Sequence, residues 1–214
     1  IEHPEFYCLA LNGQMLTQKP VGYWVDPIIS CLSVPKELFQ EGENTLVAYG
    51  KYNKLKPGLE TIFILGKFGV DKNAITKMPE MLKIGDWCEQ GFSNYAGNMT
   101  YIREVTLAEI PAQPVVLRLP SWRGSALVIQ VNEQPEVTIG WPPYQLDVQK
   151  SLQKGLNQIK ITVLGHRRNA FGPFYQKDKW PAWTGWDSFK RQDQKERQLV
   201  PCGLLEDVLL QLGQ

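Results

Sequence analysis

The sequence predicts an all-β protein: two antiparallel β-sandwich units in tandem, the first of them partial. Three observations carry this. Short runs of alternating apolar and polar residues recur between Gly, Pro and Asn turn signals, and the 3.6-residue periodicity of helices is almost missing. One supersecondary pattern also occurs twice. Its first copy reads Leu11-Asn12-Gly13, Gly22, Trp24, Asp26 and Gly42-Glu43-Asn44; its second reads Val131-Asn132-Glu133, Gly140, Trp141, Asp147 and Gly155-Leu156-Asn157. Both copies then run into Gly-x-Phe, at 66–68 and 172–174. Solenoid repeats recur every roughly 20 to 50 residues, far less than this spacing, so two related domains are expected.

Taken in order, residues 6–12 alternate Phe6, Cys8 and Ala10 against Tyr7, Leu9 and Leu11, a strand with two covered faces closed by the turn signal Asn12-Gly13. In such a strand Cys8 acts as a small hydrophobe. Lys36 to Phe39 after Pro35 suits one helical turn, Thr45 to Tyr49 resumes strand, and Glu60 to Leu65 forms the last strand of the unit. The polar stretch Asp71 to Lys77, followed by Pro79, reads as a linker. The expected domains are therefore 1–76, a partial unit, and 77–214, a complete one. In the second, strands are expected around Tyr101 to Leu107, Val115 to Leu119, Leu127 to Val131, Ile159 to Val163 and Val208 to Leu212. The first unit has no counterpart of residues 85–120.

Composition excludes several classes of function. The 214 residues include 23 basic and 22 acidic side chains, for a net charge of +1. They are spread along the chain, with no electrostatic footprint for nucleic acid or an anionic membrane. Apolar runs fall short of the about 20 residues of a membrane span. Cys8, Cys31, Cys88 and Cys202 show no C-x-x-C spacing, and the two histidines, His3 and His166, give neither a metal-ligand pattern nor a triad. No cofactor is called for, although a structural calcium in a loop stays open. The opening Ile1-Glu2-His3-Pro4 has no signal-peptide pattern, and the compartment is left open among secreted, periplasmic and cytoplasmic.

The run Gly85-Asp-Trp-Cys-Glu-Gln-Gly-Phe-Ser-Asn-Tyr-Ala-Gly-Asn-Met-Thr-Tyr-Ile-Arg103, with Val131-Asn132, Gly140-Trp-Pro-Pro-Tyr-Gln-Leu-Asp147 and Gly155-Leu-Asn157, resembles the galactose-binding-like jelly roll of family 2 type glycoside hydrolases. The first copy and the ending Leu199-Val-Pro-Cys-Gly-Leu-Leu-Glu206 look like the C-terminal region of large bacterial glycosidases. The resemblance implies an accessory, sugar-binding module; the catalytic barrel of that family has no counterpart here. The partners it implies are an oligo- or polysaccharide and the catalytic domain of a parent enzyme.

Glycosidic hydrolysis needs two carboxyls roughly 5 to 9.5 Å apart. Asp26 and Asp147 hold matching places after the aromatic turns, where a short carboxylate serves backbone N–H groups, so they are read as scaffold. Glu89, Glu206 and Asp207 lie near turns with no partner in the pattern, and no catalytic residue is assigned. Sugar binding asks instead for an aromatic face and nearby polar groups. Tyr95, Trp141 and Tyr144 lie in loops, and His166, Arg168 and Asn169 follow a strand directly, so these six form the expected ligand site. Trp180, Trp183 and Trp186 form a second candidate surface between Pro and Gly breakers. Two alternatives stand beside this reading. Trp87 and Trp141 could cap the sandwich as core plugs, and the whole chain could be a structural domain that orients a catalytic domain and binds no sugar.

Overall fold

A computed structural model describes residues 1–51, 53–72, 74–171 and 198–212. The protein is a β-sandwich protein, and every strand pair in its sheets is antiparallel. The chain divides into two compact units, Ile1–Gly66 and Lys67–Gln214. Among the described residues no helix is long and apolar enough to cross a membrane.

Unit 1 contains strands β1 (Tyr7–Leu11), β2 (Gln14–Met15), β3 (Pro20–Trp24), β4 (Asp26–Leu32) and β5 (Leu46–Gly50). They form a three-stranded sheet, β2-β1-β5, and a two-stranded one, β3-β4. Asn12 at φ 49° and Gly13 at φ 82° make the tight β1-β2 turn, as Asn-Gly does where both central residues need positive φ. The expected helical turn is a 3-10 turn at Lys36–Leu38. Two expectations fail in this unit. Cys8 is exposed rather than covered, although Ala10 on the same face is buried; Leu9 and Leu11 on the other face pack into the small core with Ile1 and Leu16. Glu60 to Leu65 takes no strand conformation; Ile62 and Ile64 instead line an apolar cavity of about 300 Å³ with Leu9, Leu11 and Leu46.

Unit 2 opens with the hairpin β6 (Gly69–Asp71) and β7 (Ala74–Thr76). This stretch was expected to be a linker. It is held within unit 2 by a bridge between Val70 and Phe92 and by Val70 N–H donating to Gly91 O at 2.8 Å. The strands that follow are β8 (Asn98–Leu107), β9 (Val115–Arg118), β10 (Trp122–Arg123), β11 (Ala126–Val131), β12 (Val137–Ile139), β13 (Gln145–Asp147) and β14 (Gly155–Leu164). The one-turn helix α1 (Arg168–Phe171) precedes β15 (Gly203–Leu204) and β16 (Leu209–Leu212).

A four-stranded sheet, β12-β11-β14-β8, faces a three-stranded one, β13-β9-β16, with β10-β15 as a short third pair. Period-two alternation is the reason these segments are strands. Leu127, Ile129 and Val131 from β11, Ile159, Ile161 and Val163 from β14, and Val115 and Leu117 from β9 are all buried in one core. Each fully buried side chain of this kind contributes roughly 1.5–3 kcal/mol. Trp87 lies in the same core.

Candidate functional site

Strand register decides which loops share an end of the unit 2 sandwich. Leu127 stands opposite both Ile139 and Val163, Asn98 opposite Leu164, and Gln145 opposite Arg118. The loops 92–97, 119–125, 140–144 and 165–171 therefore gather at one end. The opposite end carries the turns built on Asn132 and Asn157. Tyr95, Trp141, Tyr144, His166, Arg168 and Asn169 all belong to loops of the first end. Trp180, Trp183 and Trp186 lie outside the described residues.

Within that end the side chains differ sharply in what they offer. Trp141 is 83% exposed and sits beside the cis Pro142-Pro143 bond. Tyr144 is partly exposed and stands edge-on to Trp122, with centroids 5.2 Å apart at 89°. Its backbone is tied down, since Leu119 N–H donates to Tyr144 O at 3.1 Å and Gln145 N–H to Pro143 O at 2.9 Å. The aromatic loop is thus anchored to β9 and leaves the indole of Trp141 in solvent. This overturns the reading of Trp141 as a core plug. The equivalent reading of Trp87 holds: it is 0% exposed and lies edge-on to Tyr95 at 5.8 Å.

Tyr95 donates its hydroxyl to Asn98 O at 2.9 Å and packs on Phe92 at 5.6 Å, and the residue remains partly exposed. His166 Nε2 lies 3.2 Å from Pro201 O. Arg168 opens α1 and is partly buried, and loss of solvent lowers its pKa from the ordinary guanidinium value. Asn169 is 2% exposed, and its side chain points inward. Its Nδ2 donates to Val200 O at 2.8 Å and lies 3.2 Å from Cys88 Sγ, while Val200 N–H donates to its Oδ1 at 2.9 Å. An amide engaged in this way clasps two chain segments, and no hydrogen-bonding capacity faces solvent. Sequence reasoning missed Trp122, which supports Tyr144 from below. Its two-residue strand carries no alternation to flag it.

A second buried cluster lies beside this clasp. Asp86 caps the 3-10 turn Trp87–Gln90 by accepting from Cys88 N–H at 2.8 Å, and the same oxygen accepts from Cys202 N–H at 3.0 Å. Burial pushes the Cys88 thiol pKa up, with the Asp86 charge adding to it, and burial pushes Cys202 up to about 11. These are neutral packing thiols, the opposite of a nucleophile.

The carboxylates are structural where their bonds are visible. Asp26 Oδ1 accepts from Ile28 N–H and Asp147 Oδ1 from Gln149 N–H, each at 3.0 Å. Their equivalence ends there. Asp147 closes β13 just before a 3-10 turn at Gln149–Ser151, whereas Asp26 opens β4 after Val25 at φ 68°. Asp207 pairs with Arg103. Among the described residues no hydrogen bond joins two carboxyl groups, and no group of three or more His, Cys, Asp or Glu is placed to hold a metal ion.

No protein-family model matches the chain, and none of the curated proteins compared with it does. Among solved structures it is similar to a rhamnosidase from Novosphingobium sp. PP1Y, with a TM-score of 0.42 and 20% sequence identity. That similarity covers 96% of this chain and 20% of the rhamnosidase, so the chain spans about a fifth of that protein's length.

Proposed function

We propose that unit 2 is a non-catalytic carbohydrate-binding module of a multidomain bacterial glycoside hydrolase, with Trp141 as its stacking surface. The observation that carries the reading is the exposure of the Trp141 indole on an anchored loop beside Tyr144. A fixed, solvated aromatic face suits the apolar C–H side of a pyranose at little entropic cost. The resemblance of residues 85–157 to galactose-binding-like modules supports the same assignment. Tryptophan fluorescence titration against plant and host polysaccharides and simple galactosides, rhamnosides and glucuronides tests it, with Trp141→Ala beside the parent chain. Saturable quenching that disappears in the variant is expected.

One observation favours a second reading, a structural domain that packs on and orients a catalytic domain. Asn169 and the Tyr95 hydroxyl are both committed to bonds within unit 2, which leaves Trp141 with few fixed polar neighbours among the six candidates. A flat response across the whole panel, with the protein folded, selects this reading and sinks the first.

A further inference from the structure

The charged side chains of unit 2 are shared unevenly between its two ends. The loops that gather at the Trp141 end, 92–97, 119–125, 140–144 and 165–171, hold Arg123, Arg167 and Arg168 and not one Asp or Glu. Arg118 joins them, because it is the last residue of β9 and stands opposite Gln145, the residue after Tyr144. At the other end the turns 108–114, 132–136 and 148–154 hold Glu109, Glu133 and Glu136 against Lys150 and Lys154. A chain with a net charge of only +1 thus places a group of cations on the loops that carry its exposed indole.

Hydrogen bonds make these loops one continuous surface. Leu119 N–H donating to Tyr144 O at 3.1 Å joins 119–125 to 140–144, and the Tyr144 ring meets that of Trp122, the neighbour of Arg123. Ser125 Oγ donates to Gly165 O at 3.3 Å, which joins the same loop to 165–171. Arg118, Arg123 and Arg167 are all exposed. Among the described residues the ion pairs are His3 with Glu5, Lys77 with Glu80 and Arg103 with Asp207, so none of these three arginines has a carboxylate partner. Arg123 Nη1 donates to Trp122 O at 3.3 Å, which leaves the rest of its N–H groups for another acceptor.

The carboxylates that flank the loops do not balance them. Asp207 is taken by Arg103 and Asp86 by the amides of Cys88 and Cys202. Exposed Glu89 and Glu206 stand against Arg118, Arg123, Arg167 and Arg168. A guanidinium stays charged, donates only, and presents its N–H groups in a planar fork that matches a carboxylate. Like charges gathered on one surface also raise the local potential, which draws an anion in. A neutral sugar leaves both properties unused.

We infer that the ligand of the Trp141 end is an acidic pyranose, a hexuronate within a polysaccharide, whose ring stacks on Trp141 while the flanking arginines, Arg123 first among them, bind its carboxylate. The inference rests on the reading of unit 2 as a carbohydrate-binding module and names the class of sugar that module takes. The planar, two-oxygen carboxylate suits the guanidinium fork through paired N–H donors.

Isothermal titration calorimetry of the full chain tests it. The probes are galacturonate and glucuronate oligomers, each beside its methyl ester, which keeps the ring and its hydroxyls and removes the charge. The acid is expected to bind at least about tenfold more tightly than the ester, as one hydrogen bond to a charged group supplies, and to weaken as added salt screens exposed charges. Arg123→Gln with Arg167→Gln should remove most of that preference and leave the ester's affinity unchanged, while Trp141→Ala should weaken acid and ester together. An ester or a neutral sugar bound as tightly as the acid, and lost in Trp141→Ala, overturns the inference and leaves the module standing. Heat from no uronate, ester or neutral sugar removes the module reading and this inference with it. Dextran sulfate bound as tightly as the uronates and unaffected by Trp141→Ala overturns it too, because charge alone would then be recognised.

Discussion

The side-chain amide of Asn132 donates to the Asn157 carboxamide oxygen at 3.1 Å, and Asn12 makes the same bond to Asn44 at 2.9 Å. The neighbouring bonds repeat as well. Asn132 Nδ2 reaches Ser151 O and Asn12 Nδ2 reaches Leu38 O, both at 2.8 Å. The Asn157 amide donates to Gln153 O and Gly155 O, and the Asn44 amide to Gln40 O and Gly42 O. The duplication seen in the sequence is therefore a duplicated hydrogen-bond circuit that ties a strand end to the following 3-10 turn.

The two circuits differ in burial, and that difference makes a prediction. Asn157 is 0% exposed, so removing its amide strands buried partners, whereas Asn44 lies in solvent and water can replace what is lost. Asn157→Ala is expected to cost about 3 kcal/mol and Asn44→Ala about 1 kcal/mol or less. Urea unfolding of each variant checks the order; equal costs would contradict the account.

Two glycines separate backbone strain from steric clash. Gly155 holds φ +92° in open space, while Gly203 holds φ +119°, and a Cβ there would meet the Tyr101 hydroxyl at 2.9 Å and Gly85 O at 3.1 Å. Gly155→Ala should cost about 1–2 kcal/mol from backbone strain. Gly203→Ala should cost visibly more, because backbone atoms cannot yield as a flexible side chain does. Thermal midpoints of the two variants decide this.

The exposed and buried indoles should behave oppositely. Trp141→Ala is expected to change stability by no more than about 0.5 kcal/mol, as surface substitutions do. Trp87→Ala opens a core cavity and should cost about 3–5 kcal/mol. A denaturation series on both variants tests the assignment, and a large loss for Trp141→Ala would show the loop to be packed.

The buried thiols predict loss of stability at high pH. Burial raises the folded-state pKa of Cys202 from the ordinary 9.0 to about 11, and that of Cys88 also rises. Above about pH 9 the unfolded chain releases these protons while the folded chain keeps them, so the folded state binds more protons and stability falls as pH rises. The contribution is intact below pH 9 and declines from there through about 11. Urea midpoints between pH 8 and 11 should decline less steeply in Cys202→Ala than in the parent chain. In native protein near pH 8, Ellman's reagent should label exposed Cys8 quickly and leave Cys88 and Cys202 unlabelled until denaturant is added.

Local pattern by itself determined the β class, the places of the main strands and the duplication. A strand that buries one face must alternate with period two, as Leu127, Ile129 and Val131 do, and a turn that needs positive φ selects Asn or Gly, as at Asn12 and Asn132. These requirements act within a few residues. Only the tertiary structure decided what depends on partners far along the chain. Trp87 and Trp141 both read as loop aromatics, yet one is sealed by the core and the other stands in water. Asn169 read as a surface donor, yet Val200 turns its amide inward. Glu60 to Leu65 has the composition of a strand and takes no strand conformation. The comparable apolar run β16 is a strand because β9 supplies its ladder, and a ladder needs a second strand that no single segment can encode.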